Sequence, residues 1–429
     1  MRIINKIFLS LIVLAFVAGC KDKNKDKGIF SGTVIDAATT EALEGVLITI
    51  FNNNTNAPVG ASVTTDADGI FSIAMDPGTY YAKLTKQGYL DVPPRGIAAL
   101  AFDIVVEGEE IHDYEMIALE GASSLGWASG QVTDGTVGLG GALVILEAGG
   151  KAFSAVTDQE GYYEVYNVPG ATYQAKGWLA GYNSASVSVT VSANTESQYN
   201  DITLTAGATG SVTGAVKHLA TDNKEVDVAL IHPVTGESIP GLDTFTEGLT
   251  YTISEVPDGF YLARATFKND DRVMDPDAIT KFGEPEVTIS GGNSIEVVFD
   301  LTNSVTLNTP TNTTDLIPVE VATTTPTFEW TGYSSTSDYV VEVVDAATGN
   351  VVWGGFTNSA GAITKNGPLI PSGTHSVAYN SDGSATIATL IPGKIYRWRI
   401  YASKDVVSSG TWKLISASED QKGLFKVTQ

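Results

Sequence analysis

An all-β fold is predicted, arranged as about four tandem β-sandwich domains behind a short, cleaved N-terminal targeting segment. Three observations predict it. One stretch, Thr65-Asp66-Ala67-Asp68-Gly69 through Phe71 and Pro77-Gly78 to Tyr81, returns as Thr157-Asp158-Gln159-Glu160-Gly161 through Tyr163 and Pro169-Gly170 to Tyr173. A worn third copy runs from Tyr251 through Pro257 to Tyr261. The three prolines lie 92 and 88 residues apart, a spacing suited to small sandwich domains and too long for a solenoid repeat. Within each copy apolar residues recur with a period of two, and beyond residue 20 no segment reads as an amphipathic helix.

The repeated stretch reads turn, strand, turn, strand. Asp and Gly before the aromatic supply side-chain hydrogen bonding and positive φ for a tight turn. Phe71, Ile73 and Met75 alternate with Ser72 and Ala74, which gives one buried face. Pro-Gly closes that strand, since proline cannot donate to a ladder and glycine tolerates a left-handed bend. A tyrosine four residues after the proline (Tyr81, Tyr173, Tyr261) opens the next strand as a core residue. Upstream, Ser31-Gly32-Thr33-Val34, Ser129-Gly130-Gln131-Val132 and Thr213-Gly214-Ala215-Val216 each precede an apolar run, at 46–50, 142–146 and 228–231.

These landmarks, with Gly88-Tyr89 and Gly181-Tyr182 closing the first two copies, resemble the carboxypeptidase regulatory-like domain, a small transthyretin-like β-sandwich. The resemblance covers residues 28–303. It implies a stalk, scaffold or binding module with no catalytic residues. The third copy lacks the Thr-Asp-x-x-Gly turn and the closing Gly-Tyr, and carries Glu247-Gly248 near the turn instead.

In chain order, Arg2 and Lys6 precede an apolar run at 7–17 that is short for a transmembrane helix. Val17-Ala18-Gly19-Cys20 resembles a bacterial lipobox, so residues 1–19 are expected to be a lipoprotein signal peptide and Cys20 the lipidated residue. Acyl chains there would hold the mature chain to a membrane at ~0.8 kcal/mol per buried methylene. Residues 20–27 read as a charged tether, and by the Gram-negative sorting rule Lys21 fits release to the outer membrane, on either its periplasmic or its surface face. Cys20 is the single cysteine, which excludes disulfides and thiolate metal sites.

Carboxypeptidase regulatory-like sandwiches are expected at 28–120 and 121–207, and a divergent one at 208–303. In the second, Trp178 and Tyr182 flank Gly181 in what reads as a loop. That pattern suits either a sugar-stacking platform or a core tryptophan beside a turn. In the third, Asp270, Asp271, Asp275 and Asp277 lie within eight residues and could cage calcium, although Arg272 would neutralise part of such a site. The polar stretch 302–325 reads as a linker. Residues 304–429 resemble a fibronectin type III domain through Trp330, Tyr339-Val340-Val341-Glu342-Val343 and Leu390-Ile391-Pro392-Gly393-Lys394-Ile395-Tyr396. Trp330, Tyr396 and, two residues on, Trp398 are expected in its core. The Gly/Ser/Asn-rich stretch 354–389 departs from that pattern.

No catalytic chemistry stands out. The four histidines are scattered, and no nucleophile elbow, His-Glu-x-x-His or phosphate-binding glycine loop occurs. The formal charge is −24, and becomes −26 when residues 1–19 leave with Arg2 and Lys6. Such a surface argues against nucleic-acid partners. The expected function is a non-catalytic, lipid-anchored envelope scaffold without a cofactor, acting in protein interaction or adhesion. The alternative is a carbohydrate-binding surface lipoprotein using Trp178, Tyr182 or Trp353. Expected partners are the membrane, through the anchor, and other envelope proteins or glycans.

Overall fold

A computed structural model describes residues 26–93, 101–119, 121–184, 186–219, 225–265, 271–277, 284–312, 318–346, 351–359, 362–419 and 422–428. Those residues are almost wholly β. The helical structure is limited to a single short turn, Ala122–Ser124, and two residues at 276–277. No helix among them is long and apolar enough to cross a membrane.

The first three units share one topology. In the first, Gly28–Asp36 lies between Ile70–Met75, antiparallel, and Glu109–Ile111, parallel, with Tyr114–Met116 also pairing it. The facing sheet runs Val63–Thr64, Leu47–Asn52, Gly78–Thr85, Ala101–Ile104. The second unit repeats this with Tyr162–Pro169 beside Leu125–Thr133, against Lys151–Val156, Leu143–Ala148, Ala171–Trp178, Val187–Val191. The third does so with Thr250–Val256 beside Gly210–His218, against Ser238–Phe245, Asp227–Ile231, Gly259–Ala265, Glu286–Ile289. The worn copy has therefore kept the arrangement while losing much of the motif.

The motif residues explain this. Thr65 and Thr157 are buried clamps: each hydroxyl donates to a carbonyl, Leu43 O at 2.6 Å and Leu139 O at 2.7 Å, and accepts the N–H of Val46 or Ala142 at 2.9 Å. Asp66 Oδ1 accepts from Asp68 N and Ile70 N, as Asp158 Oδ1 does from Glu160 N and Tyr162 N. Gly69 and Gly161 take φ of +73° and +85°, where a Cβ would fall 2.5 Å from a backbone carbonyl oxygen. Of these turn contacts the third unit keeps the accepting half of the clamp: Thr246 Oγ1 accepts the N–H of Val226 at 3.1 Å.

The tyrosine landmark needs one correction. Tyr173 and Tyr261 are buried and donate to the carbonyls of Pro169 and Pro257, each at 2.8 Å. In the first unit the equivalent is Tyr80, which donates to Asp76 O at 3.0 Å, whereas Tyr81 stacks on Phe51 on the opposite face of the strand. The one-residue offset arises because the second and third units carry a β-bulge that the first lacks.

The stretch 302–325 is not a free linker. Val305 and Leu307 are buried in the core of the last unit, and Leu307–Thr309 pairs with Thr327–Trp330. That pair and Ser376–Ala378 form a three-stranded sheet. It faces a larger sheet built on Asp338–Asp345 and Ile395–Val406. Trp330, Tyr396 and Trp398 are core residues, with Trp398 Nε1 donating to Pro310 O at 2.6 Å. Within 354–389 lie a hairpin, Phe356–Ser359 with Ala362–Lys365, and two short strands.

Candidate interaction surfaces

Of the residues singled out from sequence, Cys20 and Asp270 lie outside the described residues. Trp178 is the last residue of the strand Ala171–Trp178 and only 7% exposed. Its ring meets Tyr261 edge-on at 5.4 Å and His232 at 5.7 Å, both residues of the third unit, and Lys176 Nζ lies over it at 4.0 Å. It packs in the third unit's core together with Leu143, Ile145 and Ala152. The indole is a joint between units, not an exposed stacking platform in a loop. Tyr182 is half-buried against its own unit's core, in a strand pairing Ile202–Ala206. Trp353 is 1% exposed and donates its Nε1 hydrogen to Asp382 at 2.8 Å, so its ring does not form an open face either.

Asp275 and Asp277 lie at the contact of the third unit with the last one. Asp277 Oδ1 accepts the N–H of Leu414 at 3.3 Å, and Asp275 Oδ1 accepts that of Asp277 at 3.0 Å. Burial, with Asp277 and Asp300 nearby, raises the Asp275 carboxyl above its ordinary range. Among the described residues no three acidic, histidine or cysteine side chains converge as a metal site would require. Ser416 Oγ donating to Asn303 O at 2.6 Å, and the hydroxyls of Thr302 and Tyr333 at 2.7 Å, further tie the same two units.

Between the first three units one device is used twice. The bulge of Tyr162–Pro169 falls between Val165 and Val168 and places Asn167 at φ +59°. Gly88 N of the preceding unit donates to Asn167 Oδ1 at 2.7 Å. Asn167 Nδ2 donates to the carbonyls of Tyr89 at 2.7 Å and Lys86 at 3.3 Å, and its N–H donates to Gln87 Oε1 at 3.0 Å. In the third unit Glu255 also stands at φ +59°, and Gly181 N donates to its carbonyl at 2.7 Å. The Gly-Tyr turn that closes one unit thus docks on the bulge of the next. The remaining contacts differ. Polar bonds join Gly60 and Ser62 to Gln159 and Asp158 at the first joint, whereas the second adds to its polar bonds, Ser154 Oγ to Glu237 and Asp258 N to Asn183 Oδ1, an apolar core around Trp178.

One surface was missed from sequence. Along Leu125–Thr133, Ala128 and Val132 point inward, so Trp127, Ser129 and Gln131 point outward. Trp127 lies 6.3 Å from Tyr166 on the neighbouring strand, the rings tilted by 38°. Tyr166 OH donates to Glu164, Ser129 Oγ donates to Glu196 at 2.6 Å, and Tyr162 beside them is 53% exposed. Burial first, then Glu196, raises the Glu164 carboxyl above its ordinary range. The outward position of a tryptophan in a strand of period two was the available signal.

No curated protein matches the chain. Among solved structures it is similar to the Bacillus anthracis TIE protein, at 15% identity over 64% of this chain and 51% of that one, with a TM-score of 0.19. A streptococcal ancillary pilin shares 17% identity over 44% of this chain and 64% of its own, with a TM-score of 0.19. BcpA, the major pilin subunit of Bacillus cereus, shares 12% over 65% and 100%, again with a TM-score of 0.19. The chain therefore spans about half to two thirds of the first two, and similarities this low carry no functional argument. The family model of the carboxypeptidase regulatory-like domain matches residues 29–102 and 128–205. Those segments hold the threonine clamp, the Asp-Gly turn and the tyrosine tie of the first two units, and the chain carries two carboxypeptidase regulatory-like domains in tandem.

Proposed function

We propose that this protein is a non-catalytic scaffold of the bacterial envelope. Cys20 carries the lipid anchor, the charged tether spans 20–27, and the jointed sandwiches form a spacer that presents the last, fibronectin type III-like unit away from the membrane. The observation that carries this reading is the twice-used joint between a Gly-Tyr turn and a bulge, reinforced at the second joint by a shared apolar core. Domains on passive linkers gain nothing from such contacts, whereas a spacer needs them, because relative domain motion is otherwise the default. The acidic balance supports protein partners over nucleic acid.

Two measurements test this. Cys20→Ser should abolish metabolic labelling with a palmitate analogue and leave unprocessed precursor, and labelling that survives the substitution refutes the anchor. Solution scattering of the full chain in detergent should report one extended particle of fixed length. A broad distribution of lengths refutes the spacer.

A further inference from the structure

We propose that the outward face around Trp127, Tyr166, Glu164 and Glu196 is a docking site for a lysine- or arginine-bearing segment of another envelope protein. The inference rests on the scaffold reading and names the chemistry of its partner.

The chain contains its own control. Trp127 stands three residues before Gly130, whose partner across the ladder is Tyr163. In the first unit Gly32 faces Phe71, and in the third Gly214 faces Tyr251, so the equivalents of Trp127 are Ile29 and Ser211. By the same registers Glu164 corresponds to Ser72 and Thr252, and Tyr166 to Ala74 and Ser254. One topology thus forms three times, and only the second unit puts aromatic rings and a Glu164-type carboxylate on this face. The fold does not demand them.

Their chemistry points to a cation. Among the described residues neither Glu164 nor Glu196 has a basic partner. Elsewhere the protein caps its own aromatics: Lys176 lies over Trp178, Lys365 over Trp412 at 4.7 Å and Arg399 over Tyr401 at 5.1 Å. Trp127 and Tyr166 have no such cap among the described residues. A guanidinium or ammonium entering here would gain a ring face and two carboxylates at once. It would also relieve the repulsion between Glu164 and Glu196. A neutral saccharide fits less well. The rings are tilted rather than coplanar, and the hydroxyls of Ser129 and Tyr166 and the amide of Gln198 already donate to the two carboxylates. The face offers acceptors with few free donors.

The test uses the full chain in detergent and a fluorescent peptide of alternating lysine and serine, read by anisotropy at low and high salt. Because the chain is strongly acidic, the informative variant is Trp127→Ser, which leaves net charge unchanged and installs the residue the third unit uses. It should weaken binding by about tenfold, the scale of a cation held on an aromatic face. Glu164→Thr with Glu196→Ser should weaken it further and flatten its salt dependence. Tyr166→Ser serves as a second aromatic variant if Trp127→Ser lowers the melting temperature. Equal binding by both aromatic variants assigns the affinity to bulk charge and overturns the proposal. Binding of a neutral oligosaccharide that depends on Trp127, without peptide binding, also overturns it. Scattering on the same samples reports the spacer separately, so loss of one reading leaves the other measurable.

Discussion

Replacing Trp178 by alanine tests whether the second and third units behave as one body. The indole is nearly fully buried, yet most of what buries it belongs to the next unit: Tyr261, His232 and the backbone at Gly259, where an added Cβ would come within 2.5 Å of the ring. Truncating a buried tryptophan costs about 3–5 kcal/mol. Its edge-on contact with Tyr261 accounts for roughly 0.5–1.5 kcal/mol of that. Trp178 Nε1 is buried without a hydrogen-bond partner among the described residues, so no lost bond adds to the figure. Because the contacts cross the joint, the loss falls mainly on coupling. Coupling of 3–5 kcal/mol makes unfolding of one unit destabilise its neighbour by roughly 10²–10⁴-fold. Calorimetry of the wild-type chain should therefore show these two units melting in one transition, and Trp178→Ala should split it in two. A single transition that persists, with a change below about 0.5 kcal/mol, would refute the shared-core argument.

Two further outcomes follow from the same geometry. Asn167→Gly preserves the positive φ but removes three side-chain bonds to the first unit, each worth about 0.5–1.5 kcal/mol net. Distances between dyes on the first and second units should broaden while the melting of the second unit stays within a few degrees. Thr157→Val leaves the buried N–H of Ala142 without its acceptor and should cost about 1–3 kcal/mol in denaturant titration, confined to the second unit.

Much of the fold was legible because each element obeys a local rule. The Asp-Gly turns, the alternation after Phe71 and Tyr163, and the core tryptophans of the last unit all follow from turn chemistry and period two. The joints were harder to read. The run at 142–146 is apolar throughout, and a strand buried on both faces reads in that way. In a half-exposed sandwich that already implies a cover on the outer face, but not which unit supplies it. Trp178 was placed in a loop because glycines flank it. Gly177 in fact sits opposite Val144 in the ladder, where Leu204 leaves little room for a side chain. The bulge was hidden because Tyr80 and Tyr81 are adjacent, so aligning on the proline selected the wrong tyrosine. Sequence proximity says nothing of direction: Asp277 turns toward Leu414, while Asp270 lies outside the described residues.

The twice-used joint also fixes the grammar of the array. The first unit has a trailing Gly-Tyr turn but no bulge, the third has a bulge but no trailing Gly-Tyr, and only the second has both. The outer units are therefore terminators, and the middle one is the single repeat that could be duplicated in place without leaving a connector unmatched. A longer relative of this protein would arise by inserting copies of the middle unit, each advancing the tip by the same step. The length of the array would then be counted in whole modules, leaving its outer units unchanged.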